Sequence, residues 1–256
     1  MINDFAPEFY QDLQKHLRRS EWNVFPDVVI HAEETSVKKH PSYAAAKSGD
    51  ALAAEELILE TSTLGAIDKI CEIIGDRKPY LVAVHAQETL GANVIPTTLA
   101  RILAKMLNLP LATAILQINR VSHTGSDGYH RLAFPALYDG IVTGGEYFLI
   151  DDFVGQGGTL ANLKGFLESR GAVVLGATVL TGKSYSAKLK LTSETLQLLR
   201  EKHGQELENW WRASFGYSFE CLTESEARYL TRADNADSIR TRIIAASRSG
   251  SRRTVI

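Results

Sequence analysis

The chain has 256 residues, with 28 basic and 30 acidic side chains and a formal net charge of −2. This near balance excludes the strong global field that draws basic proteins to nucleic acid or anionic membranes, so a charged ligand has to be bound locally. Only Cys71 and Cys221 are present, and neither lies in a CxxC or Cys/His pattern, which excludes a disulfide scaffold and a thiolate zinc site.

The amino-terminal sequence MINDFAPEFYQDL lacks the basic and apolar regions of a secretory signal. No apolar run approaches the roughly 18 residues that span a bilayer. These observations predict a protein of the cytoplasm, without a membrane partner.

Residues 1–75 are predicted to be mostly helical, with an Ala-rich stretch at 41–59 that Gly49 interrupts. From residue 81 to residue 180, short apolar runs alternate with helical patterns, which is typical of a parallel sheet flanked by helices. The runs predicted to be buried strands are 81–86, 112–118, 141–143, 147–150 and 173–180. The sequence therefore predicts an α/β fold.

Two crossover helices are predicted within this core. Apolar residues recur at helical spacing from Ile95 to Leu107, with Pro96 near the start of the helix. A second apolar stripe runs from Leu160 to Leu167, and Gly171 is placed to end that helix.

Residues 189–245 are predicted to be helical, with a stop at Gly204 and an aromatic group at 210–219 that we assign to core packing or an interface. The predicted organisation is an N-terminal helical accessory segment at 1–75, an α/β core at 76–185, a C-terminal helical accessory segment at 186–245 and a mobile tail at 246–256. We expect the two accessory segments to form one lobe. The tail is basic and polar, as solvated chain ends usually are.

The strongest functional signal is YFLIDDFVGQGGTLANL at 147–163, in which an apolar strand is followed by two acids, a Gly-rich turn and a helix. Ligands of open α/β sheets bind beyond the carboxyl ends of the strands, and a helix N-terminus offers backbone amides to a phosphate. Carboxylates beside a phosphate suit a sugar phosphate, because its hydroxyls are donors and its magnesium prefers oxygen ligands.

This pattern resembles the signature of type I phosphoribosyltransferases, which bind phosphoribosyl pyrophosphate (PRPP), and its local form is closest to the adenine and xanthine enzymes. The resemblance covers about 100 residues. It implies that Asp151 and Asp152 hold the ribose hydroxyls and take part in catalysis, with Mg²⁺ held close to both through PRPP. The 5′-phosphate would bind the turn that follows, and the expected PRPP-binding residues are Asp151, Asp152, Phe153, Val154, Gly155, Gln156, Gly157, Gly158 and Thr159.

The resemblance also implies a transferase that uses PRPP and Mg²⁺ to join phosphoribose to a nucleobase or related nitrogen acceptor and releases pyrophosphate. Its partners would be PRPP, a small-molecule acceptor and a second copy of the chain in a homodimer. Hypoxanthine-guanine members carry an acid where this chain has Gly155, which argues against that substrate class.

These motifs have three other interpretations. The acids could merely cap the helix. A dinucleotide fingerprint requires Gly where the chain has Leu160, and a P-loop ending at Gly182, Lys183 and Ser184 lacks its first glycine at the required spacing. Both nucleotide motifs are therefore rejected, and helix capping stays as the alternative.

A second phosphate loop is expected after the strand at 81–86, and its candidate residues are Ala86, Gln87, Glu88 and Thr89. The resemblance implies that pyrophosphate binds there. The acidic Glu88 departs from the family pattern, so a plain turn is an equal alternative.

The polar stretch between Ile118 and Leu137 is long for a connection and resembles the flexible catalytic loop of the family. Arg120 and Arg131 are its candidate catalytic residues, for neutralising pyrophosphate, while His123 or His130 could assist proton transfer. Solvated loop side chains are an equal alternative. The lysine that orotate enzymes use in this loop is missing.

Lys183 and Tyr185, after the last core strand, are the weaker candidates for binding the acceptor. A regulator that binds PRPP or a nucleotide without turnover is the main alternative function. A structural or nucleic-acid partner acting through the arginine-rich tail ranks last.

Overall fold

The computed structural model describes residues 13, 15–85, 93–119 and 127–251, of which the last three are described by their backbone alone. Its strands are β1 (Val29–Ala32), β2 (Tyr80–Ala83), β3 (Ile115–Gln117), β4 (Tyr138–Gly140), β5 (Gly145–Val154) and β6 (Ala172–Gly182). Its helices are α1 (Glu34–Lys38), α2 (Tyr43–Lys47), α3 (Ala51–Thr61), α4 (Leu64–Ile74), α5 (Ile95–Leu107), α6 (Gly128–Ala133), α7 (Gly158–Glu168), α8 (Ser193–Phe215), α9 (Glu224–Thr231) and α10 (Ala236–Ser251). Short 3₁₀ turns occupy Ser184–Ser186 and Phe219–Cys221.

The predicted α/β class is confirmed. Four strands form a sheet in the order β1-β6-β5-β2, and every pair in it is parallel. Helix α7 packs its apolar stripe on one face of the sheet, while α3, α4 and α5 cover the other. The two predicted crossover helices therefore lie on opposite faces. Because all four strands are parallel, their carboxyl ends lie at one edge of the sheet.

A helical part completes the chain, as predicted for the C-terminal flank. Its buried cluster combines α6 and α8–α10 with Leu13 and Leu17 from the N-terminal flank. Trp211 and Phe219, from the aromatic group, are fully buried there. The group is core packing.

The prediction for the N-terminal flank missed strand β1. Its four residues, VIHA, follow Asp27 and precede two glutamates, so the apolar run is short. The strand forms through pairing with β6, in which Thr178 donates to the carbonyl of Val29 across 149 positions of sequence. The division at residues 75, 185 and 245 stays a prediction, and the structure adds that the first segment supplies a strand to the sheet.

Two other strand predictions need correction. Residues 141–143 are an exposed connection, with Ile141 75% exposed, because the strand lies just before them, where Tyr138 is buried against α7. The run at 112–118 forms only β3, which pairs antiparallel with β4. Strand β3 lies next to the segment that continues β2, because the backbone N–H of Gln117 donates to the carbonyl of His85 at 2.9 Å.

The predicted stop at Gly204 is confirmed. Its φ of 73° and ψ of 169° are not helical and divide α8 into two helical segments with a kink between them, of which the second ends at Phe215. Gly171 has a φ of 81° after α7, as expected for a residue that ends a helix. Within the described residues, no helix is both long and apolar enough to cross a bilayer.

His31 makes the fold sensitive to acid. The side chain is 2% exposed on β1, and neither ring nitrogen has a hydrogen-bond partner among the described residues. Burial lowers the pKa of His31 to about 4, whereas an unfolded histidine titrates near 6.5.

The unfolded chain therefore takes up a proton that the folded chain does not, between about pH 6.5 and pH 4. The stability that neutral His31 gives is complete above pH 6.5 and is lost as the pH falls towards 4. We expect the free energy of unfolding to fall by about 2.5 kcal/mol more in the wild type than in His31→Leu between pH 7.5 and pH 4.5. Chemical denaturation at both pH values measures this difference, and equal losses would contradict it.

Candidate functional site

The two acids lie inside strand β5 rather than after it, because the strand continues to Val154. Asp151 pairs in register with Val179 and is 6% exposed. Its Oδ1 accepts from the backbone N–H of Asp152 at 2.8 Å, and burial together with the charge of Asp152 raises the pKa of Asp151. Successive residues of a strand point to opposite faces, so the two carboxyls flank the strand at its carboxyl end.

Lys47 contacts this acid pair, although no sequence pattern indicates the contact. Its Nζ lies 2.8 Å from Oδ2 of Asp152, and the two side chains are 36% and 15% exposed. The contact joins residues 105 positions apart, so helix α2 brings a cation to the sheet edge.

The turn after β5 offers five consecutive backbone amides. Gly157 adopts a left-handed φ of 80° as the N-cap of α7, and the helix begins at Gly158. Throughout the described parts of the chain, no group accepts a hydrogen bond from the amides of residues 155–159. A turn of this kind followed by a helix N-terminus binds anions through its amides and the helix dipole.

Gly157 is the residue of this turn whose backbone requires glycine. A Cβ on Gly157 would lie 2.3 Å from Cδ2 of Leu189, and its left-handed backbone adds strain for any other residue. A Cβ on Gly155 would lie 2.7 Å from Nη1 of Arg131. The turn is therefore packed from both sides, and its shape depends on glycine.

The same contact shows where Arg131 lies. The guanidinium comes from α6, which lies within the predicted catalytic loop, and it reaches the backbone of the turn. The structure thus brings Arg131 to the acid-bearing turn, while its catalytic role stays a prediction. Arg120 and His123 lie outside the described residues.

Side chains that are remote in sequence donate hydrogen bonds to backbone carbonyls of the turn and of the start of α7. Thr223 Oγ1 donates to the carbonyl of Gln156 at 2.6 Å. Arg19 pairs with both carboxylate oxygens of Glu226 at 2.9 Å, with side-chain exposures of 2% and 4%, and also donates to the carbonyl of Gly158 at 3.4 Å. Thr223 and Glu226 form the capping box of α9, which the TxxE spacing indicates in the sequence, whereas nothing in the sequence indicates Arg19.

The acceptor candidates lie beside the turn but do not contact the acid pair. The backbone N–H of Lys183 donates to the carbonyl of Val154 at 3.0 Å, and its Nζ pairs with Glu34 at 2.8 Å. Tyr185 is 62% exposed. Their roles stay predictions.

The predicted pyrophosphate loop, Ala86, Gln87, Glu88 and Thr89, lies outside the described residues. Of the elements that flank it, β2 ends at Ala83 beside Ile150 of β5, and α5 begins at Ile95. Strand β2 therefore ends at the edge of the sheet that carries the acids. His85, just before it, has a buried Nδ1 without a partner among the described residues.

The residues at this edge fit magnesium only in part. Carboxylate oxygens suit this hard cation, and phosphate oxygens of a ligand commonly supply further ligands. Within the described residues, no group of three or more His, Cys, Asp or Glu side chains could hold a metal. Magnesium would accordingly bind through the ligand, with Asp151 and Asp152 beside it.

Searches against known proteins give two sequence relatives. The chain is 38% identical over 229 residues to Protein TraN of Escherichia coli, covering 89% of this chain and 51% of that protein. It is 40% identical over 156 residues to an uncharacterised protein of Haemophilus influenzae, covering 60% of this chain and 35% of that protein. The chain thus spans about half, or less, of the length of these relatives, and no family model matches it.

Among solved structures, the chain is similar to adenine phosphoribosyltransferases. The enzyme of Saccharomyces cerevisiae, in complex with an imino-altritol bisphosphate and adenine, is 12% identical with a TM-score of 0.32, over 71% of this chain and 92% of that one. The enzyme of Leishmania donovani is 16% identical with a TM-score of 0.31, over 70% and 69%. The enzyme of Thermoanaerobacter pseudethanolicus is 17% identical with a TM-score of 0.30, over 51% and 74%. Activity has to be argued from the site itself.

Proposed function

We propose that this chain binds PRPP at the carboxyl edge of its parallel sheet and transfers phosphoribose to a nitrogen acceptor, with release of pyrophosphate. One observation carries the proposal: five backbone amides without a described acceptor follow directly on a strand that carries two carboxyls among its last four residues. The amides suit a phosphate, and carboxyls suit donor groups such as the hydroxyls of a pentose. A 5-phosphopentose joins both groups in one molecule.

Helix capping by the acids, the alternative interpretation, finds no support in the hydrogen bonds. Asp151 accepts from the amide of Asp152, within the strand. Asp152 pairs with Lys47, and neither carboxyl accepts from an amide of the turn. The acids therefore do not cap the helix, and the proposal assigns them to the ligand.

In the proposed reaction, the acceptor nitrogen forms a bond to C1 of the ribose while the bond from C1 to pyrophosphate breaks. Because the ribosyl centre becomes cationic in the transition state, the protein acts by positioning and by charge. The amides of residues 155–159 fix the 5′-phosphate, the acid pair orients the hydroxyls, and Arg131 adds positive charge beside the turn. Magnesium, when bound, would neutralise the departing pyrophosphate.

A second candidate function is a sensor that binds PRPP or a nucleotide without turnover. The ion pair between Lys47 and Asp152 favours it, because the lysine lowers the negative charge that the acid pair offers to magnesium. The same pair leaves Asp151 and the amides available for a sugar phosphate. Binding is thus common to both candidates, and turnover separates them.

Two measurements test the proposal. Calorimetric titration with PRPP and magnesium is expected to show saturable binding at one site per chain, while ribose without phosphate serves as the control and binds far more weakly. Pyrophosphate release is then assayed with a panel of purine and pyrimidine bases. Release with one base class supports the transferase, binding without release supports the sensor, and absence of PRPP binding would refute both.

A further inference from the structure

Lys47 is the feature of this edge that neither the signature nor the predicted loops account for. Among the ion pairs of the described residues, it is the cation that contacts the acid pair. The other two lysines at this edge, Lys38 and Lys183, instead pair with Glu34, at 2.5 and 2.8 Å.

The contact contributes little to stability. With side chains 36% and 15% exposed, an ion pair of this kind is worth about 1 kcal/mol or less. The lysine keeps a third of its surface open, so its ammonium has donors left for another partner. A contribution to stability therefore does not explain why Lys47 lies beside the acids.

The backbone beside Lys47 contacts the start of α5. The carbonyl of Ala46 accepts from the backbone N–H of Val94 at 3.4 Å, and Ala46 itself is fully buried. Val94 is the N-cap of α5. Lys47 thus follows a residue that is held at the start of α5, and its own side chain holds Asp152.

The positive charge of Lys47 would favour the binding of an anionic ligand group beside the two acids. Two carboxyls repel a pyrophosphate group, whereas an ammonium between them and the group offsets the repulsion. Burial lowers the pKa of Lys47, but the charge of Asp152 and its hydrogen bond to the lysine outweigh burial and raise it, so the side chain is a cation at neutral pH. A lysine acts in such a place as a point charge with three donors.

We propose that Lys47 is a ligand-binding residue that contacts the anionic group on C1 of the bound sugar phosphate, in addition to holding Asp152. The inference rests on the proposed function and assigns to the chain a further specificity residue: one that distinguishes a pentose phosphorylated at both ends from a pentose 5-phosphate.

Calorimetry of Lys47→Met and Lys47→Arg with PRPP and with ribose 5-phosphate, in one magnesium-containing buffer, tests this assignment. Lys47→Met is expected to lower the affinity for PRPP by about 30-fold, the effect of one charged hydrogen bond, and that for ribose 5-phosphate by less than about 3-fold. Lys47→Arg keeps the charge and should retain most of the affinity for PRPP.

Arg77→Met is the matched control. Arg77 pairs with Glu146 at 3.9 Å, with exposures of 46% and 36%, and Glu146 lies at the amino-terminal end of β5. The control removes one positive charge far from the acids and should leave both affinities unchanged.

Each outcome decides a different question. Equal losses for the two ligands, or no loss for either, would overturn the assignment of Lys47 while leaving PRPP binding intact. A wild type that binds neither ligand would instead overturn the proposed function on which the assignment rests.

Discussion

Replacing both acids of β5, by Asp151→Asn with Asp152→Asn, is expected to lower the affinity for PRPP by about 100-fold or more. Each carboxyl is proposed to hold a ribose hydroxyl, and a hydrogen bond to a charged group is worth about 1.5–3 kcal/mol. Isothermal calorimetry with magnesium measures the effect.

The fold should survive this change. Asparagine has the shape of aspartate, Asp151 is buried with a raised pKa, and the pair of Asp152 with Lys47 is partly exposed. We expect the melting temperature to stay within a few degrees of that of the wild type. A matched control, Asp68→Asn with Asp76→Asn, removes two exposed carboxylates from the region of α4 and should leave the affinity unchanged. An unaltered affinity in the β5 variant would refute the assignment of the acids.

Arg19→Met is expected to be the most destabilising substitution that we predict, costing about 3–5 kcal/mol of the free energy of unfolding. The guanidinium and its partner Glu226 are almost completely buried, so removing the arginine leaves a buried carboxylate without its cationic partner. The hydrogen bonds that Arg19 donates to the carbonyl of Gly158 and to Oδ1 of Asn162 are lost as well. The melting temperature should fall by about 10 °C.

A double-mutant cycle separates the ion pair from the other contacts of Arg19. Adding Glu226→Gln removes the second charge and keeps an acceptor for the backbone N–H of Thr223, so Arg19→Met with Glu226→Gln should be more stable than Arg19→Met alone. Arg77→Met, which breaks an exposed pair and two hydrogen bonds to the carbonyls of Ile73 and Ile74, should cost less, about 1–2 kcal/mol. A double variant that is less stable than the single one would contradict the role of the buried pair.

The core of the fold and the turn could be predicted from the sequence because both depend on local patterns. Alternating apolar runs placed β5 and β6, the helical stripes placed α5 and α7, and the glycines at 155–158 placed a turn between β5 and α7. Strand β1 escaped prediction because a run of four residues becomes a strand only through its pairing with β6.

The supporting residues of the site could not be predicted for a related reason. The contacts of Lys47 with Asp152 and of Arg19 with Glu226 join residues 105 and 207 positions apart. No spacing rule connects such residues, since only the packing of α2, α9 and the N-terminal segment brings them to the sheet edge. The TxxE spacing indicates a helix start at Thr223, but it does not indicate that the Thr223 hydroxyl donates a hydrogen bond to the carbonyl of Gln156.

The central claim is that the amides of residues 155–159 bind the phosphate of a phosphopentose. The most direct test follows the backbone amide resonances of the ¹⁵N-labelled protein during titration with ribose 5-phosphate. The resonances of Gly155, Gly157, Gly158 and Thr159 should shift together and saturate with one affinity, as amides do when they become donors to an anion. Saturation without shifts in these four amides, or shifts confined to another part of the chain, would contradict the proposed site.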